Sequence, residues 1–80
     1  MSRYRVQYGN EALTALSAMT AARRSGYEAG MTRLASAPYG HGSTPAGRDR
    51  DRRQAAVAGT ITLYRVSHSA MTVSVVRIVH

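Results

Sequence analysis

Eighty residues make one domain's worth of chain, here taken as a single domain over 1–80, and with no cysteine it has neither a disulfide nor a thiolate metal site to brace its modest core. No stretch approaches the roughly 18 consecutive apolar residues of a membrane span, and the opening MSRYRV lacks the apolar run of a secretory signal, so a cytoplasmic protein is expected. Eleven basic residues, every one an arginine, stand against four acidic ones for a net charge of +7, a balance suited to RNA, DNA or an acidic protein partner.

The segment RYRVQY at 3–8 alternates, with Tyr4, Val6 and Tyr8 on one face, as a half-buried strand does. Gly9 and Asn10 break it; Asn10 is a good N-cap, and Glu11 then sits in the first turn of a helix. From 11 to 38 the pattern is helical, with Leu13, Leu16, Met19 and Ala22 at three-residue steps and Tyr27, Met31 and Leu34 continuing an apolar stripe. Gly26 and Gly30 each cost a helix interior about 1 kcal/mol relative to alanine, which predicts two helices with a break within 19–26. Pro38 ends the second helix. The run YGHGSTPAG at 39–47, which holds His41, reads as a loop, and RDRDRR at 48–53 is the densest charge in the chain.

Three strands follow, over 54–58, 60–67 and 71–79, with Gly59 and then His68, Ser69 and Ala70 as the turns. The predicted fold is α+β, in the order β-α-α-β-β-β. One antiparallel-rich four-stranded sheet carries an N-terminal helical hairpin packed on one face.

Several side chains are candidates for chemistry. Arg48, Arg50, Arg52 and Arg53 form a nucleic-acid contact or, tempered by Asp49 and Asp51, a solvated loop end. Tyr64 lies between Leu63 and Val66 and is either core packing or a functional phenol. Arg65 and Arg77 alternate on strands, and His80 has the imidazole suited to proton transfer. Leu13, Leu16 and Met19 are either core or the face of a partner groove. Three scattered histidines without carboxylates at ligand spacing predict no metal, and the absence of a phosphate-cradling glycine loop predicts no cofactor.

The strand GTITLYRV at 59–66, the closing VSVVRIVH at 73–80 and the Leu34-to-Pro38 helix ending together resemble the RelE/ParE toxin superfamily, whose closing strand runs V-x-V-x-x-I-x-H and whose second helix ends L-x-x-x-P. The resemblance covers residues 3–80 and implies a type II toxin neutralised by a cognate antitoxin. RelE-like members are implied to be ribosome-dependent messenger RNA endoribonucleases. ParE-like members inhibit DNA gyrase, and a repurposed member is a protein- or nucleic-acid-binding module. The implied catalytic set is Arg52, Tyr64, Arg77 and His80. The sequence departs from the pattern at Ile61, Gln54 and Ala56, where the family often has arginine, and it ends at His80, where the family continues into an arginine and often a tyrosine.

Overall fold

The computed structural model of the chain describes residues 4–40 and 42–80; Arg3 at the start of the predicted first strand and His41 in the predicted loop lie outside them. The elements are β1 (Arg5–Tyr8), α1 (Asn10–Ser17), α2 (Ala21–Ser36), β2 (Ser43–Pro45), β3 (Arg52–Val57), β4 (Thr60–Ser67) and β5 (Thr72–Val79). They form one sheet in the order β1-β5-β4-β3-β2. Strands β2 to β5 run antiparallel to their neighbours, and β1 pairs parallel with β5. The connection from β1 therefore passes through the whole of the rest of the chain before its partner strand is laid down, as parallel pairing requires a long crossover.

Two boundaries depart from expectation at the helices. Asn10 is the first residue of α1 and not its cap; Gly9, extended at φ −70° and ψ 169°, takes that place with no side-chain hydrogen bond. The interhelix break falls at 18–20, at the early margin of the expected range, because Thr20 caps α2 by accepting from the Arg23 N–H at 3.2 Å. Leu16 and Met19 are buried in the core with Ala12, whereas Leu13 is 46% exposed, so two of the three proposed partner contacts are core.

The sheet is one strand wider than predicted. Ser43 to Pro45 pairs with Arg53 to Ala55, inside a stretch whose glycines and proline read as loop. Pro45 is tolerated because β2 is an edge strand, where a missing N–H costs no ladder bond. Strand β3 begins at Arg52 and not at residue 54, since Arg52 turns out to solvent and Arg53 turns in. The two-residue link Ala58-Gly59, with φ 49° and 79°, has both residues left-handed, as a type I′ hairpin requires.

The helices cover one face only. Tyr27, Met31 and Ala35, at four-residue steps along α2, pack with Val57, Tyr64, Val66, Val73, Val75 and Ile78. The Tyr27 hydroxyl meets Thr62 Oγ1 at 2.8 Å, and Thr60 donates to the Val57 carbonyl at 2.8 Å, so threonines sit in this core without orphaned hydroxyls. Burial pushes the Tyr27 phenol up from its ordinary pKa. No helix among the described residues is long and apolar enough to cross a membrane.

The two helix glycines differ in kind. A Cβ on Gly26 meets nothing within 4 Å, whereas one on Gly30 falls 2.7 Å from Val57 Cγ1, a stiff β-branched side chain. Gly26→Ala is expected to stabilise the fold by about 0.5–1 kcal/mol. Gly30→Ala is expected to destabilise it, because an overpacking cost of roughly 1–3 kcal/mol outweighs the same propensity gain. Opposite shifts in melting temperature, measured by circular dichroism, check the pair.

Candidate nucleic-acid interface

Alternation on β4 sends Thr60, Thr62, Tyr64 and Val66 into the core, and Ile61 and Arg65 out to the uncovered face with half-buried Leu63. Across this face Leu63 pairs with Gln54 on β3 and Arg77 on β5, while Arg65 stands directly opposite Arg52. Like charges opposed on adjacent strands destabilise a sheet, so the arginine pair is a local cost in the fold.

A β-bulge decides where Arg77 goes. Leu63 pairs with Arg77 and Tyr64 with Val75, leaving Val76 as the extra residue. Both Val76 and Arg77 are therefore exposed, and Ile78 returns to the core at 7% exposure. Unbroken alternation from Val75 would have turned Arg77 inward and Ile78 outward. The bulge re-aims the arginine.

The result is a cleft of about 630 Å³ on the open face, with Leu63 and Val76 between Arg52, Arg65 and Arg77 and with Glu11 of α1 at its wall. Two ion pairs border it. Arg65 NH2 lies 3.6 Å from Asp49 Oδ2, and Arg77 Nε lies 3.8 Å from Glu11 Oε1, all four side chains being about half exposed or more. Such long, solvated pairs contribute little and exchange readily for another anion. Three guanidinium forks around an apolar floor are chemically suited to phosphates, with a flat apolar contact between them. Among the described residues no three His, Cys, Asp or Glu side chains come together as a metal site.

Of the residues singled out from sequence, the guanidinium groups of Arg52, Arg65 and Arg77 share this cleft. Arg53 does not reach out from it, being 8% exposed. Its Nε donates to Ser43 Oγ at 2.6 Å, NH1 to the Arg50 carbonyl at 3.0 Å and NH2 to the Ser43 carbonyl at 3.2 Å, so it fastens β2 to the sheet. Tyr64 is 2% exposed, and its hydroxyl is on the helix side, donating to the Pro38 carbonyl at 2.6 Å and touching Ser43 Oγ. His80 is exposed beyond the end of β5 and does not line the cleft. Arg48 is exposed on the loop before β3.

Arg50 belongs to a second cluster. Its guanidinium carbon lies 5.0 Å from the centre of the Tyr39 ring, Arg53 lies 5.1 Å from it, and the ring stacks on His68 at 5.3 Å. The Tyr39 hydroxyl donates to Asp51, and burial together with that carboxylate pushes the phenol up to about 12, so it stays protonated through neutral pH. The cluster pins the loop that delivers Asp49 to Arg65.

Sequence reasoning named Arg65 as a candidate but left it out of the catalytic set, and it did not select Glu11. Arg65 carried a signal, since it shares strand parity with Leu63. Glu11 carried none beyond its place in a first helical turn, because only the packing of α1 on β5 brings it to Arg77.

No protein-family model matches the chain, and no curated protein matches it in sequence. Among solved structures it is similar to a chain of the toxin–antitoxin complex RelBE2 from Mycobacterium tuberculosis, with 21% identity, a TM-score of 0.79 and 98% of each chain covered. It is also similar to a chain of the archaeal RelE–RelB complex from Pyrococcus horikoshii OT3, with 16% identity, a TM-score of 0.76, and 96% of this chain and 93% of that one covered. With so few residues in common the likeness is one of architecture, and the architecture of this chain is the RelE-like fold.

Proposed function

We propose that the chain is a RelE-like type II toxin, a ribosome-dependent endoribonuclease of messenger RNA that acts in the cytoplasm and is silenced by a cognate antitoxin. The observation that carries this reading is the convergence of Arg52, Arg65 and Arg77 on the one sheet face that the helices leave open. Cleavage by attack of a 2′-hydroxyl on its neighbouring phosphate builds negative charge on the phosphoryl oxygens. Preorganised cations are the groups that stabilise it. The likeness to chains from two toxin–antitoxin complexes supports the antitoxin as partner.

A second reading has one observation of its own. Ile61 and Val79 pair on the same face and are 46% and 40% exposed, which suits a protein-docking surface of the kind a ParE-like gyrase inhibitor uses.

Controlled expression in a bacterium, with ribosome profiling, separates the two. Growth arrest with codon-phased messenger RNA cleavage, relieved by co-expressed antitoxin, is the expected result. Arrest without cleavage, coupled to loss of supercoiling by purified gyrase, would transfer the assignment to the inhibitor. Neither arrest nor cleavage would remove the toxin reading.

A further inference from the structure

The arginines of the cleft answer one need of RNA cleavage, the stabilisation of charge, and leave another open: a group that takes the proton from the attacking 2′-hydroxyl. Besides the arginines, the ionisable residues lining the cleft among the described ones are Glu11 and Tyr64. The Tyr64 hydroxyl is turned to the opposite side of the sheet and held by Pro38 and Ser43. His68 and His80 do not line the cleft.

Glu11 is held at this wall by the backbone. The Gly9 N–H donates to the Val75 carbonyl at 2.9 Å, fixing the start of α1 to β5 beside the bulge, and the Leu13 N–H closes the first turn on the Gly9 carbonyl at 2.8 Å. The carboxylate then stands 3.8 Å from Arg77 Nε, in a long and solvated pair that leaves the guanidinium open to a phosphate. In RNA the 2′-oxygen lies only a few bonds from the phosphate it attacks, and a phosphate held by Arg77 stands beside the carboxylate that Arg77 already pairs with. The Glu11 side chain is 70% exposed, so it swings to that oxygen without unpacking anything.

Resting on the ribonuclease reading above, we infer that Glu11 is the general base of the cleavage. Its carboxylate takes the 2′-hydroxyl proton as the 2′-oxygen bonds to phosphorus. The bond from phosphorus to the 5′-oxygen breaks, that oxygen takes a proton from water, and the proton on Glu11 passes to solvent. The products are a 2′,3′-cyclic phosphate and a 5′-hydroxyl.

The test is single-turnover cleavage of messenger RNA on programmed ribosomes, with affinity read separately on the same RNA carrying a 2′-deoxyribose at the cut site. Glu11→Gln is expected to lower the cleavage rate about 100-fold or more, in the range general-base loss produces, while the affinity for the 2′-deoxy RNA holds or tightens. Glu11→Asp, which keeps the carboxylate, should recover part of the rate. Because the residue is exposed, an unchanged melting temperature is expected of both variants. Equal rates for wild type and Glu11→Gln would overturn this inference and leave the ribonuclease reading standing. A wild-type chain that cuts no ribosome-bound RNA would overturn both, and a loss of affinity that accounts for the whole fall in rate would reduce Glu11 to a partner of Arg77.

Discussion

Tyr64→Ala should lower the melting temperature by roughly 12–40 °C, since truncating a buried aromatic costs roughly 3–5 kcal/mol and each kcal/mol is worth about 4–8 °C in a domain of this size. The ring is 2% exposed at the centre of the core, and its hydroxyl ends a chain of polar contacts. Arg53 Nε donates to Ser43 Oγ at 2.6 Å, Ser43 meets the Tyr64 hydroxyl, and Tyr64 donates to the Pro38 carbonyl at 2.6 Å. That chain ties the end of α2 to β4 and both to the short edge strand β2. Tyr64→Phe keeps the ring and deletes the link, and leaving its partners unsatisfied costs about 1–3 kcal/mol. On the ribonuclease reading, the phenylalanine variant should keep the wild-type rate and affinity below its melting temperature, because the phenol lies on the far side of the sheet from the cleft. A fall of 100-fold in cleavage with an unchanged melting temperature would instead give the phenol a part in the chemistry.

Combined replacement of Arg52, Arg65 and Arg77 by glutamine should abolish the proposed RNA cleavage without harming the fold. Each arginine that neutralises a phosphate of a single strand contributes about −0.7 to the slope of log affinity against log salt, so the triple variant should lose roughly 2 units of that slope. Its affinity for RNA at low salt should fall by about 100-fold to 10,000-fold, at about 1.5–3 kcal/mol for each charged hydrogen bond, discounted for exposure. Arg33→Gln removes one such charge from α2, on the helix side of the sheet, and serves as the control for a single arginine lost away from the cleft. Stability should move the other way. Arg52 and Arg65 stand directly opposite, so Arg52→Gln alone should stabilise the sheet by a few tenths of a kcal/mol. A residue whose removal improves the fold and impairs binding marks a functional surface. Fluorescence anisotropy over a salt series and thermal melts read the two effects.

The parts of the fold legible in the sequence were those written locally. Alternation in β4 and the four-step stripe of Tyr27 and Met31 on α2 each fix a face within a few residues, and the helix-ending proline is a covalent signal. The parts that were not legible depend on distant pairing. Three residues of β2 carry no period of their own and become a strand only because β3 lies beside them. The run at 48–53 looks uniformly solvated, yet β pairing splits adjacent arginines between opposite faces, sending Arg52 to the cleft and Arg53 to the core. Half of the site was thus visible as arginine content. The rest, Arg65 facing Arg52 and Glu11 facing Arg77, is a matter of register and of how α1 crosses β5.

The bulge at Val76 also divides β5 mechanically. Strand β1 pairs with residues 72 to 75 and goes no further, so the half of β5 before the bulge is clamped on both sides and the half beyond it is bonded to β4 alone. The half before the bulge therefore has ladder partners on both edges, and the half beyond it, among the described residues, on one. Arg77 lies in the singly paired half. The backbone under Arg77 is therefore expected to exchange its amide hydrogens faster than the cleft wall carried by β3 and β4, where each strand is paired on both sides.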